Sequence, residues 1–109
     1  LVAARRDWIT RVERSLAPFD AVLSPTVPIT APTIESVAPG EERDDVFFRI
    51  NSLLLRNPSI VNMLDGCAIS LPCHAKGELP VGLMLWHGAL HDDAVLAIAL
   101  QIERTLQER

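Results

Sequence analysis

The sequence predicts an α/β fold whose three helices and three short strands follow the order α-β-loop-α-β-β-α. Two observations predict it. Apolar residues recur at helical spacing in the segments 1–16, 44–57 and 92–109. Three shorter apolar runs, 21–23, 68–73 and 79–86, are bounded by proline, glycine or charged residues, as strands are. Hydrophobic residues form 49% of the 109-residue chain, which is enough for the core of one domain or of part of one.

Each predicted helix has recognisable ends. Pro18 ends the first helix. Asp44 or Asp45 caps the second, and Asn57 ends it, because a residue that precedes a proline disfavours the helical conformation. Asp92 is the expected N-cap of the third helix.

A proline-rich loop, residues 24–42, separates the first strand from the second helix. Its prolines at positions 25, 28, 32 and 39 exclude a helix or a central strand, because each fixes φ and removes a backbone donor. Long loops in compact domains are either functional or spacers, and both interpretations stay open for this one.

The run 79–86 is apolar on both faces of the predicted strand. Leu83 and Leu85 lie on one face, and Met84 and Trp86 lie on the other. Such a strand is covered on both sides. The turn around Gly77 has hairpin length, so antiparallel pairing with 68–73 is expected. Three strands of this kind are too few for a self-contained sheet and need further strands and helices.

The stretch DGCAISLPCH, residues 65–74, raises the question of a thiol site. Strand alternation places Cys67 and Cys73 on one side and His74 on the other, which excludes a Cys-His pair. The two cysteines would lie about 20 Å apart along a strand, whereas a disulfide needs about 5.5 Å between Cα atoms. Buried thiols in a strand are therefore predicted.

A metal site is not predicted. His87 and His91 are four residues apart, but Gly88 separates them at a junction between a strand and a helix, and no cysteine or carboxylate joins them at metal-site spacing. Both histidines are expected in a solvated loop.

Charge and hydropathy exclude two classes of partner. The formal charge of −4 argues against a nucleic-acid surface, which needs a basic stripe, and no apolar run reaches the ~20 residues of a membrane span. The N-terminus shows no signal-peptide pattern and begins inside a helical pattern without Met, so it is interpreted as a cut. Two cysteines in an ordinary composition favour a cytoplasmic location.

Three ordered stretches resemble the C-terminal portion of amidase signature family enzymes: FDAVLSPTVPITAP, RNPSIVNMLDGCAISLPC and GELPVGLMLWHGALHDDAVLAIALQIE. The resemblance covers residues 19–103. The sequence departs from the family pattern in two places. The residues Asp65-Gly66-Cys67-Ala68 replace the commonest form, Gly-Leu-Pro-Ala, and Pro58 replaces a frequent threonine.

The resemblance implies a large mixed sheet covered by helices, in which residues 1–109 are the C-terminal part of a single amidase domain. It also implies hydrolysis of carboxylic amides to acid and ammonia or amine through an acyl-serine intermediate, without a metal or organic cofactor. The family's serine, second serine and lysine are absent here, and the only lysine, Lys76, lies in a predicted turn. No catalytic residue is therefore expected in this chain, which alone is predicted to be inactive.

By the same resemblance, Pro25, Thr26, Arg56 and Asn57 are expected to form part of the substrate-site wall. The competing role for Arg56 is that of a cation near a helix C-terminus. The expected partners are a small-molecule amide, the missing N-terminal part of the same enzyme, and further copies of the chain through self-association. The alternative is a non-catalytic α/β interaction module, or a subunit, of amidase ancestry.

Overall fold

The structure, a computed structural model, describes residues 1–40 and 43–108. The predicted order of elements is confirmed in these residues, and a short 3-10 turn, Glu35–Val37, lies within the loop. Residues 41 and 42 of the predicted loop and residue 109 of the predicted third helix lie outside the described residues. The elements are α1 (Val2–Leu16), β1 (Val22–Pro25), α2 (Asp44–Leu64), β2 (Cys67–Pro72), β3 (Gly82–His87) and α3 (Asp92–Gln107).

The strands form an antiparallel sheet in the order β1-β3-β2. Leu85 in the central strand pairs with Leu23 on one side and with Ile69 on the other. The hairpin between β2 and β3 is confirmed. Pro25 is tolerated in β1 because that strand is paired, among the described residues, on one side only.

One face of the sheet packs against α3. The buried core at this contact contains Leu71, Leu85, Val95 and Ala99, and Cys67 is partly buried against it. Side chains two residues apart in β2 therefore share the covered face, as the alternation predicted. Cys73 follows the last residue of β2.

The second half of α2 lies beside the other face of the sheet. Met84 is buried at 4% exposure, and it shares a cavity with Trp86 and with Ile60 of α2. Helix α1 packs on α2, and the Arg5 Nε donates a hydrogen bond to the Met63 carbonyl over 3.0 Å. β3 is therefore covered on both faces, as its composition predicted.

Helix α2 does not end at Asn57, so that prediction was wrong. The helix continues through Pro58 to Leu64. A proline inside a helix costs about 3 kcal/mol through the lost hydrogen bond and the ring clash. The added turns bury Val61 at 5% and Leu64 at 0% exposure, and each buried aliphatic side chain contributes about 1.5–3 kcal/mol. Burial therefore outweighs the cost of the proline.

The predicted caps were also wrong. Arg43 and His91 are the N-caps of α2 and α3, and neither makes a side-chain cap hydrogen bond. Asp44 and Asp92 are the first helical residues, where a carboxylate interacts favourably with the positive end of the helix dipole. Within the described ranges, no helix combines the length and the apolar character that a membrane span requires.

The described part of the chain is flat. It extends over 46 × 45 × 16 Å and has a radius of gyration of 16.7 Å. A compact domain of this length has a radius of gyration of about 13 Å. The chain therefore forms an open layer with broad outer faces.

Candidate functional site

Three of the four predicted site residues, Pro25, Arg56 and Asn57, lie around one cavity between α2 and the β1–β3 pair. Its volume is about 270 Å³. We call it the Arg56 cavity, and its lining residues are Ser24, Pro25, Arg56, Asn57, Ile60, Met84 and Trp86.

Asn57 links the two sides of the Arg56 cavity. Its Nδ2 donates to the Pro25 carbonyl over 2.9 Å, which ties α2 to the end of β1. Its Oδ1 accepts a hydrogen bond from the Arg56 Nε over 3.2 Å. The amide therefore joins helix to strand and also orients the guanidinium beside it.

Arg56 is not a helix C-terminal cation. Because α2 continues to Leu64, Arg56 lies more than two turns before its end, and the last turn holds no basic residue. The dipole acts mainly within the terminal turn. The competing role of Arg56 thus depended on a helix end that the structure does not have.

Trp86 and Ser24 form the opposite wall, and sequence reasoning did not select either for the site. The Trp86 Nε1 donates to the Ser24 Oγ over 3.3 Å. Ser24 pairs with Met84 and Val22 pairs with Trp86 in the β1–β3 register. The signal that could have found them is the alternation of β3, which places Met84 and Trp86 on one face.

Thr26 lies in a neighbouring cavity of about 350 Å³ instead of the Arg56 cavity. Its hydroxyl is hydrogen-bonded to the Ser70 hydroxyl across the start of β3. The two oxygens meet above Gly82, where a Cβ would lie 2.6 Å from each of them. The structure therefore separates Thr26 from the other three predicted site residues.

The two thiols are not joined in a disulfide. The Cys67 Sγ lies 3.4 Å from the Gly88 carbonyl, and the Cys73 Sγ lies 3.5 Å from the Val81 carbonyl. The His74 Nδ1 accepts the Val81 N–H over 3.2 Å, so its ring is held against the backbone. In these contacts each thiol meets a backbone carbonyl.

His87 contradicts the predicted solvated loop. It is the last residue of β3 and is 4% exposed, while His91 is exposed. The His87 Nδ1 accepts the Gly88 N–H over 2.7 Å, so the Nε2 carries the proton and donates to the Phe19 carbonyl over 3.1 Å. The His87 and His91 rings are stacked, with centroids 3.8 Å apart.

Metal ligands do not assemble in the part of the chain that the structure describes. No group of three or more His, Cys, Asp or Glu residues there could hold a metal ion. Both nitrogens of the His87 ring are engaged by backbone groups. The pair His87 and His91 is therefore a packing feature.

Comparison with known proteins identifies relatives over most of the chain. The family described as Amidase matches residues 1–96. A glutamyl-tRNA(Gln) amidotransferase subunit from Streptomyces avermitilis is 36% identical over 107 residues, which cover 95% of this chain and 20% of that protein. The proteins of the same name from Clostridium botulinum strain Langeland and from Streptomyces coelicolor are each 33% identical, over 86% and 89% of this chain and 18% of their own length.

No solved structure gives a significant match. The chain spans about a fifth of the length of the curated relatives it matches. The family match nevertheless covers far more than half of the chain, in the same segments that carry the cavity residues. The chain belongs to the amidase signature family.

Proposed function

We propose that this chain is the C-terminal part of an amidase domain that hydrolyses carboxylic amides to acid and ammonia or amine. The observation that carries the proposal is the amidase family match over residues 1–96. In the proposed enzyme the chain supplies sheet strands and one wall of the substrate site. The rest of the domain, including the N-terminal part, is the proposed partner.

The proposed reaction proceeds through an acyl-serine intermediate. A serine oxygen attacks the amide carbonyl, the amine leaves with a proton, and water then hydrolyses the ester. None of these steps requires a metal or an organic cofactor. Among the described residues, no serine hydroxyl is hydrogen-bonded to a lysine, a histidine or a carboxylate. The nucleophile and its base are therefore proposed to come from outside this chain.

The wall that this chain would contribute is built around the Arg56 cavity. Asn57 fixes the end of β1 through the Pro25 carbonyl, which supports a role in holding the cavity in shape. Thr26 is proposed to act from the adjacent cavity, where its hydroxyl meets that of Ser70. An amide substrate would be bound by these residues and cleaved by residues supplied elsewhere.

A second candidate reaction is favoured by the names of the relatives. They are components of an amidotransferase, in which the nitrogen of an amide passes to an acceptor. The same acyl-serine step would release the nitrogen in both cases. The two reactions differ in whether free ammonia appears without an acceptor.

The test uses the intact protein encoded by the reading frame that contains this segment. A fluorophosphonate probe followed by mass spectrometry should label one serine outside residues 1–109, and a panel of amides should release ammonia. Hydroxylamine should convert the acyl-enzyme to a hydroxamate. The 109-residue chain alone is the control and should do none of this. An intact protein with no labelled serine and no ammonia release would replace the proposal with the interaction-module alternative.

A further inference from the structure

We propose that the Arg56 cavity binds a carboxylate, so that amides bearing a second, anionic group are the preferred substrates. This inference rests on the function proposed above and adds the substrate class. It is argued from the charge of Arg56, from its orientation, and from the groups that share the cavity with it.

The guanidinium of Arg56 is a permanent cation without a protein counter-ion in the described residues. Its one hydrogen bond there is made by the Nε to the Asn57 Oδ1, which is a neutral acceptor. The two terminal nitrogens keep their donors for a ligand. A guanidinium presents these donors in the geometry that a carboxylate oxygen pair matches.

One hydrogen bond orients the exposed Arg56 side chain. Its Cα belongs to the interior of α2, and its Nε is held by Asn57, which in turn holds the Pro25 carbonyl. Less side-chain freedom is lost on binding when the donor is already oriented. An interaction with the helix dipole does not explain why an arginine stands at position 56. The helix ends at Leu64, and the dipole acts mainly within the last turn.

The Ser24 hydroxyl, which also lines the cavity, is a second donor. The Ser24 Oγ accepts the Trp86 indole N–H, so its own O–H proton is left to donate toward a ligand. The Pro25 carbonyl already accepts from Asn57. Among the residues that the structure describes, no aspartate or glutamate lines the cavity. The donors of Arg56 and Ser24 therefore favour a ligand group that accepts hydrogen bonds and carries a negative charge.

The rest of the lining is apolar. Ile60, Met84 and Trp86 supply aliphatic and aromatic surface beside the guanidinium. A ligand with a carboxylate at one end and a short methylene chain satisfies both parts of the cavity. The monoamides of short dicarboxylic acids, such as succinamate and glutaramate, have this chemistry.

The first arm of the test compares glutaramate with the neutral diamide glutaramide as substrates of the intact protein. Arg56→Gln should lower the ratio of kcat/KM for glutaramate to that for glutaramide at least about tenfold, since a hydrogen bond to a charged group is lost. Arg56→Lys should retain part of the preference. Arg49→Gln is the matched control, because Arg49 lies on the same helix but does not line the cavity, and it should leave the ratio unchanged.

The second arm measures binding without turnover. Glutarate, which cannot be hydrolysed, is titrated at constant ionic strength against intact protein labelled with fluorotryptophan. The ¹⁹F resonance of Trp86, assigned with Trp86→Phe, should shift on binding, and Arg56→Gln should raise the Kd at least about tenfold.

The two arms separate the proposals. Arg56-dependent glutarate binding in a protein that hydrolyses no amide would uphold the carboxylate subsite and overturn the proposed hydrolysis. Hydrolysis whose substrate ratio is the same in Arg56→Gln and in the parent protein would overturn the subsite and leave the hydrolysis standing. A Trp86 resonance that does not respond to glutarate would also overturn the subsite.

Discussion

Asp65 ends α2 in a conformation that favours glycine. Its φ is 57°, and it closes a Schellman motif in which the Asp65 N–H donates to the Asn62 carbonyl and the Gly66 N–H donates to the Val61 carbonyl. The family resemblance has glycine at this position. The replacement of that glycine by Asp65 therefore places a residue with a side chain in a strained backbone conformation.

Asp65→Gly should raise the free energy of unfolding by about 0.5–1 kcal/mol, because relief of the left-handed strain exceeds the added freedom of the unfolded chain. Urea unfolding measures it. Leu90, with a φ of 67° and 94% exposure, provides a second case, and Leu90→Gly should stabilise the protein by at least as much. A loss of stability in Asp65→Gly would mean that the carboxylate makes a contact worth more than the strain.

Two glycines are required by close approach of other atoms, but for different reasons. A Cβ at Gly66 would lie 2.4 Å from the His87 backbone carbonyl, whereas the three atoms nearest to a Cβ at Gly82 belong to the side chains of Ser70 and Thr26. Gly82→Ala should therefore cost about 1–3 kcal/mol, and Gly66→Ala should cost more. Thermal unfolding of both variants tests this order.

A matched set of variants distinguishes the two glycines. Removing both hydroxyls with Ser70→Ala and Thr26→Ala should recover part of the stability lost in Gly82→Ala, because the Cβ would no longer meet an oxygen at 2.6 Å. The same two substitutions should not restore the stability lost in Gly66→Ala, since the obstructing atom there is a backbone carbonyl oxygen, which no side-chain substitution removes. Equal losses at both glycines, without rescue, would contradict the packing described here.

At the residue scale, the sequence predicted strand faces better than it predicted individual contacts. Alternation alone placed Cys67 on the covered face, as observed. The burial of His87 depends on the Phe19 carbonyl, which is remote in sequence, so no local pattern could reveal it. The alternation of β3 could have placed Trp86 beside Met84, but the bond from Trp86 to Ser24 joins two strands that are remote in sequence, so it could not be predicted locally.

At the element scale, the length of α2 was the main error, and the cause was a local rule applied without tertiary burial. A proline disfavours helix at the preceding residue, but Val61 and Leu64 gain more by burial in a continued helix. The order of elements and the β2–β3 hairpin followed from periodicity and turn length, which are local properties. The part of α2 that follows Pro58 also contains Ile60, which lines the Arg56 cavity.

Pro58→Ala should raise the free energy of unfolding by about 1–3 kcal/mol, because it restores the hydrogen bond to the Leu54 carbonyl and removes the ring clash. Chemical denaturation checks the value. Pro32→Ala in the loop is the control, since it relieves no helix strain and should lower stability by up to about 1 kcal/mol through the unfolded state. A destabilised Pro58→Ala variant would contradict the helix strain that is assigned to Pro58 here.

At the scale of the whole molecule, the described layer leaves much apolar surface uncovered. Phe19, Leu23 and Phe48 are 62%, 55% and 64% exposed. Leu23 lies on an edge strand, and Phe48 lines a hollow of about 310 Å³ between α2 and the Glu35–Val37 turn. Contiguous apolar patches and unpaired strand edges are typical of surfaces that another part of a protein covers.

The 109-residue chain alone should therefore self-associate at micromolar concentration, as the sequence also predicted. Light scattering after size exclusion should give a mass above that of one chain. Leu23→Lys, which places a charge on the edge strand, and Phe48→Lys, which places one in the hollow, should each shift the distribution toward the monomer. Arg49→Gln, an exposed polar change on α2, should leave it unchanged. Addition of the proposed N-terminal part of the domain should replace self-association with a one-to-one complex if both cover the same surfaces. A monodisperse, stably folded monomer would contradict this account, because it would show that the open layer needs no cover and can act as a module by itself.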